Sequence, residues 1–229
     1  MKLSWADAGL NGRYYFEAQP GEYDGVPPIG QLLVDRDALF LKNDVINLAS
    51  FLVFAPFVSG ELILPRKVSA ELAEAMQDYL APAWCGIFPL DLNPTEAPQG
   101  DGMALLNIPG HETTKLPNQW GMPRNVSLTV LDSAEWSGSI LATDEIRVAS
   151  NAPVFSKFVP QQEALSPYIS VALLFMEAFR CNTLVIPDSI EIDDVQWDRL
   201  SRLMDTVKFG FLRESEARVL LEESANSVS

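Results

Sequence analysis

The chain has 229 residues, 48% hydrophobic and 21% charged, a mix that supports a packed core and excludes an extended disordered chain. Its 16 basic and 31 acidic side chains leave a net charge of −15, which opposes direct binding to nucleic-acid phosphates or to anionic lipid. Two cysteines, Cys85 and Cys181, are too few for a disulfide framework and sit in apolar surroundings, so reduced, buried thiols and a cytoplasmic location are expected.

Lys2–Ala6 and Arg13–Ala18 are strand candidates joined by a turn at Gly9-Leu10-Asn11-Gly12, and Pro20-Gly21 and Pro27-Pro28 mark the loop after them. Gly30 to Lys42 reads as a hairpin in which Gln31–Val34 and Ala38–Leu41 flank the turn formers Asp35-Arg36-Asp37. Asn47 is a candidate cap for a buried helix running to about Ser59; Pro56 disturbs its regularity, and Gly60 suits the left-handed residue that ends it. Leu62–Leu64 reads as a short buried strand. Ser69 then caps an amphipathic helix over Ala70–Leu80, with Leu72, Ala73, Met76 and Leu80 on one face. The longest apolar run, Leu48 to Val58, is interrupted by Ser50 and Pro56 and is too short to span a bilayer, and Met1 to Asp7 carry no apolar signal region.

Asp91 to Arg124 is rich in Pro, Gly, Asn and Thr, a loop-rich connector with one short strand candidate at Met103–Ile108. Beyond it, Gly138–Ala142 and Ile146–Val148 read as a second hairpin and Ala152–Leu165 as a loop. Ser166-Pro167 opens a helix whose body, Ile169 to Phe179, is apolar almost all round and should be buried on every side. Asp193 or Asp194 caps a helix that presents Trp197, Leu200, Met204 and Val207 on one face. In the charged extension Arg213–Glu223, Glu214 and Arg218 have the four-residue spacing that favours an ion pair.

Leu52–Pro65 and Leu174–Pro187 align without a gap: Phe57 falls on Phe179, Gly60 on Asn182, and Leu62-Ile63-Leu64 on Leu184-Val185-Ile186. We therefore expect an α+β chain built by internal duplication, each half holding strands with a hairpin, a buried helix, a short buried strand and an amphipathic helix. The divisions are residues 1–90 and 125–223 for the halves, 91–124 for the connector and 224–229 for a frayed tail. The order of three strands, helix, strand, helix resembles that of duplicated ribonuclease H-like folds, as topology alone.

Candidate chemistry is sparse. Asp35 and Asp37 after an apolar strand are similar to the Asp-x-Asp of phosphohydrolases, in which one carboxylate attacks phosphorus and the other serves the leaving group. The Gly-Thr expected after such a pair is absent, and a hairpin turn explains the same residues. Asp7, before Gly9 and Gly12, could approach a phosphate from a strand end, although no glycine-rich loop with lysine comes after any strand. His111 is the only histidine, which argues against a hydrolytic triad or a zinc site; no metal and no cofactor are expected. Trp120 and Met122, set in a Pro/Gly loop with His111 upstream, are the candidate anchors for a partner.

The expected function is thus non-catalytic protein–protein binding, with a partner of basic character complementing the acidic chain and no direct contact with nucleic acid or membrane. The alternative is a metal-dependent enzyme or binder acting on a phosphorylated or nucleotide substrate through Asp7 or the Asp35/Asp37 pair.

Overall fold

The computed structural model describes residues 1–7, 12–36, 41–93, 95–112, 114–118 and 123–227, with only the backbone of residues 7, 226 and 227. The fold is mixed α/β. Among the described residues are six α-helices and one eleven-stranded mixed sheet. Residues 2–91 build one end of the sheet. Strands β1 (Lys2–Asp7), β2 (Tyr14–Gln19) and β3 (Gln31–Val34) form an antiparallel meander; helix α1 (Asn43–Phe54) leads to β4 (Gly60–Ser69), parallel to β1, and α2 (Ala70–Leu80) leads to β5 (Cys85–Asp91), parallel to β4.

Residues 102–227 build the other end. Here β6 (Gly102–Asn107), β7 (Val126–Asp132) and β9 (Glu145–Ser150) run parallel, and β8 (Ser139–Leu141) makes a hairpin with β9. After the short α3 (Ala152–Phe155) come α4 (Ser166–Met176), β10 (Cys181–Ile186), α5 (Asp194–Thr206), β11 (Gly210–Arg213) and α6 (Glu214–Ser227). The strand order is β11-β10-β6-β7-β9-β3-β2-β1-β4-β5. No helix among the described residues is long and apolar enough to cross a membrane.

The two ends meet at β9 and β3, which share the single antiparallel pair Val34–Ser150. Side chains complete this seam. Asn151 accepts from the Leu33 N–H at 2.7 Å and donates to the Gln31 carbonyl at 2.9 Å, and the Ser150 hydroxyl donates to the Leu33 carbonyl at 2.6 Å. The Asp35 carboxylate accepts from Arg13 Nε at 2.7 Å and from the Gly138 N–H at 2.6 Å. Burial alone would raise the Asp35 carboxyl, but these two donors outweigh it and hold the group below its ordinary value.

Helices α1 and α4 lie against each other inside the curve of the sheet. Every residue of α4 is buried, as is every residue of α1 from Asp44 to Phe54. A hydrogen bond joins them, Ser170 Oγ donating to the Ala49 carbonyl at 2.7 Å. Helix α2, beside β5, meets α5, beside β11, through Arg202–Asp78 at 2.7 Å, and Lys208, in the turn after α5, pairs with Glu71 at 3.2 Å. Helices from opposite ends of the strand order can touch only if the sheet curls, so the two inner helices are enclosed by sheet and by the α2–α5 pair.

Several sequence expectations change here. The first buried helix starts at Asn43, not at Asn47; Asn47 is fully buried mid-helix and spends its amide on the Lys67 carbonyl and the Arg66 N–H, tying α1 to β4. Leu62–Leu64 is the middle of a ten-residue strand, and the region read as a loop at Ala152–Leu165 contains α3 and a 3-10 turn at Gln161–Glu163. Phe179 is not on the buried helix; it ends a 3-10 turn, Glu177–Phe179, and is only partly buried, because Arg180 adopts a left-handed conformation and turns the chain into β10. The strand candidate at Met103–Ile108 is β6, which lies in the sheet between β10 and β7 although it falls within the stretch read as a connector. The Ala38–Leu41 arm of the first hairpin falls mostly outside the described residues.

Ser69 and Asp193 do cap their helices, accepting from the N–H groups of Leu72 and Gln196 at 3.3 and 2.9 Å. Phe54 is fully buried and meets Phe155 edge-on at 5.7 Å, joining α1 to α3. Phe54→Ala should therefore cost about 3–5 kcal/mol through lost transfer energy and a cavity. Phe179→Ala should cost clearly less, and urea unfolding of both variants measures the difference.

Candidate functional site

Two clefts and one exposed face stand out. The larger cleft, about 680 Å³, opens where β6 runs into Ile108 and Pro109 and where β10 runs into the segment Ser189–Asp193. Its opposite wall is the chain entering α4, including Ser156, Leu165 and Tyr168. β6 connects onward to β7 on one side and β10 to β11 on the other, so the chain leaves these adjacent parallel strands in opposite directions. Such a divergence opens a crevice at the carboxyl ends of the strands, where ligands of α/β sheets bind.

The walls of this cleft are held firmly. Arg213 donates to the carbonyls of Ile190 and Ile192 at 3.2 and 3.1 Å, and its guanidinium lies 4.1 Å over the Trp197 ring, which itself packs on Phe211. Behind the opposite wall, Tyr79 of α2 donates a short hydrogen bond to the Glu163 carboxylate. Gln196 of α5 donates to the Tyr79 oxygen at 2.8 Å and to Glu163 at 3.3 Å, and Ser166 donates to Glu163 at 3.3 Å. This buried network ties α2 to α5 and to the chain entering α4. Burial, and after it the negative charge of Glu163, pushes the Tyr79 hydroxyl well above the ordinary tyrosine range.

The second cleft, about 630 Å³, lies at the carboxyl ends of β4 and β5 beside the start of α1. Its buried carboxylate, Asp44, is already engaged by the Ser69 N–H at 2.9 Å and by the Thr95 hydroxyl. Among the described residues, no group of three or more His, Cys, Asp or Glu side chains is placed to hold a metal ion.

The exposed face lies on β4 and β5. Residues Lys2, Ile63 and Phe88 stand in one register row across β1, β4 and β5, and Ile63 and Phe88 are 41% and 48% exposed. Trp84 shares the face, 76% exposed; a Cβ on Gly86 would touch both the Trp84 and Phe88 rings. The corresponding row at the other end, Leu105, Val185 and Leu212 across β6, β10 and β11, is covered by Ala217 and Leu221 of α6 and by Leu116. The difference begins with the chain segment that leaves each edge strand. Arg213 of β11 passes directly into α6, with the Glu216 carboxylate accepting from the Arg213 N–H at 2.8 Å. β5 instead runs into the Pro- and Gly-rich segment after Asp91, which cannot form such a helix.

Of the residues singled out in the sequence, His111 lines the larger cleft, with its N–H donating to the Ile108 carbonyl at 3.2 Å in a turn. Trp120, Met122 and Asp37 lie outside the described residues. Asp7 ends β1 opposite Tyr14, and its side chain is not described. Asp35 has both carboxylate oxygens engaged at the seam. Trp84, Phe88, Tyr79, Glu163 and Glu191 escaped the sequence reading. The only signal for the first two was three aromatics or aliphatics, Trp84, Phe88 and Leu90, spaced by even numbers of residues, the period of one strand face.

Compared with known proteins, the chain matches no family model, no curated protein and no solved structure. The likeness of element order to duplicated ribonuclease H-like folds accordingly carries no catalytic residue to this chain.

The buried network makes a pH prediction. A tyrosine whose folded-state pKa is raised contributes stability that is whole below its unfolded value of 10.0 and is lost as pH rises above it. Tyr79→Phe should cost about 1–3 kcal/mol near neutrality by removing a buried hydrogen-bonding group. It should also shrink the alkaline loss of stability, seen as a smaller fall in Tm between about pH 8 and about pH 11 than in the parent.

Proposed function

We propose that this chain is an internally duplicated, non-catalytic binding protein whose partner covers the outer face of β4 and β5 with a basic amphipathic helix. The duplication is supported by the element series on the two sides of the seam. In both, a buried helix passes through a 3-10 turn into a strand that lies between two parallel neighbours, α1 to β4 and α4 to β10. The aligned triplets Leu62–Leu64 and Leu184–Ile186 both lie on these strands. The halves also differ, since β2 is antiparallel to β1 whereas β7 is parallel to β6.

The observation that carries the binding role is the bare row Lys2–Ile63–Phe88 beside Trp84, set against the row Leu105–Val185–Leu212 that α6 covers. An apolar sheet face that one half covers with an amphipathic helix calls for a helix of the same kind on the other. Exposed tryptophan and phenylalanine are the side chains that most often anchor an interface. Glu61 and Glu17 are also on this half, and the net charge of −15 favours a basic polar flank on the incoming helix.

A photo-crosslinking residue at position 84 tests the reading, with Trp136, 56% exposed on the turn after β7, as the control position. Crosslinks from position 84 should map to a basic amphipathic helix of another protein and should vanish with Phe88→Ser and Ile63→Ser. Crosslinks to a second copy of this chain, or equal crosslinking from both positions, would reject it.

A further inference from the structure

The larger cleft has a chemistry that the proposed protein contact leaves unused. Its position at the diverging carboxyl ends of β6 and β10 is that of a ligand crevice, and its size of about 680 Å³ suits a small molecule. Among the described residues, no lysine or arginine lines it, whereas Glu191 and Asp193 do. The positive end of α5 cannot serve an anion either, because the Asp193 carboxylate already occupies it by accepting from the Gln196 N–H. A phosphate or carboxylate ligand would find His111 and the neutral donors Gln161, Gln162 and Ser156, but it would sit beside two carboxylates.

Glu191 differs from the acidic groups around it. Asp193 caps a helix, Glu163 is held by Tyr79, Gln196 and Ser166, and Arg213 is spent on the carbonyls that flank Glu191. Glu191 itself has no hydrogen-bond or ion-pair partner among the described residues. Arg213 holds the backbone on both sides of it, at the carbonyls of Ile190 and Ile192. Ile108, Leu165 and Ile192 supply apolar wall, and Tyr168 adds an aromatic ring.

We propose that this cleft binds a small organic cation, a primary amine or guanidinium on a short aliphatic chain, with its charge against Glu191 and its chain along Ile108, Leu165 and Ile192. The acidic chain as a whole raises the local concentration of such a cation, and the unpaired carboxylate supplies a charge-assisted hydrogen bond. The cleft belongs to the second half and the β4–β5 face to the first, so the two bindings separate cleanly in experiment.

Isothermal titration calorimetry of the full chain with agmatine is the test, with inorganic phosphate as the anionic control. Agmatine should bind saturably at one site, with affinity that falls as salt is raised, and phosphate should give no saturable heat. Glu191→Gln should weaken agmatine binding about tenfold or more while leaving Tm unchanged, since Glu191 is exposed and unpartnered. Ser189→Trp, a bulky change at the exposed rim, should block the cleft and abolish binding. The proposal is overturned by the absence of saturable agmatine binding to the parent chain, by undiminished affinity in both variants, or by tighter binding of phosphate.

Discussion

Two mostly apolar helices, whose few polar side chains are bonded inside the protein, must be covered on every side, and this single demand shapes the molecule. α1 and α4 together hold Phe51, Phe54, Ile169, Leu173, Leu174 and Met176, each with almost no surface in water. Full burial of such a side chain is worth about 1.5–3 kcal/mol, so leaving either helix on a flat sheet with one face bare would forfeit most of that gain. A sheet of ten strands in line is wide enough to wrap them if it curls, and α2 and α5 then close the open side. The curl thus serves the enclosure that two short apolar segments demand, and the register shifts in the β4–β5 and β10–β6 pairs lie in the strands that must bend for it.

Curling brings polar groups from distant parts of the chain together, and several of them are matched across the seam. Asn151 and Ser150 satisfy the β3 backbone where regular ladder pairing is reduced to one residue pair. Asp35 reaches Gly138 from one side of the seam to the other, Ser170 reaches Ala49, and Tyr79 reaches Glu163 and Gln196. Buried polar groups left without partners cost about 1–3 kcal/mol each, so sliding one half against the other would be penalised at several places together. Apolar packing brings the halves together; these bonds set their register.

Legibility in the sequence divides along the same line. The buried helices, the caps at Ser69 and Asp193, the β8–β9 hairpin and the Glu214–Arg218 pair at 2.6 Å are local, and composition and spacing reveal them. β5, β7 and β11 were not legible, because short apolar runs such as Cys85–Ile87 do not distinguish a strand from a loop that folds back on a core. Asn47 misled because a polar residue before an apolar run looks like a cap, when its amide in fact serves β4 from inside the helix. Neither cleft was legible either. The walls of the larger one come from chain segments near residues 108, 165 and 190, which only the strand order brings together.

Both ends are constrained to enclose a buried helix, and both pass from it through a 3-10 turn into a strand with two parallel neighbours. They diverge where that constraint does not reach. The second end runs β7 parallel to β6, which requires a long excursion between them; that excursion places Ile108, Pro109 and His111 at the mouth of the larger cleft and lays Leu116 on the outer face. The same end finishes in α6, which completes the outer cover. The first end turns β1 into β2 by a short hairpin and finishes in a proline-rich segment, so it gains neither the excursion nor the covering helix. A core that tolerates such differences leaves the outer face and the strand ends free to acquire binding roles without a cost to the fold, and both proposed sites lie there.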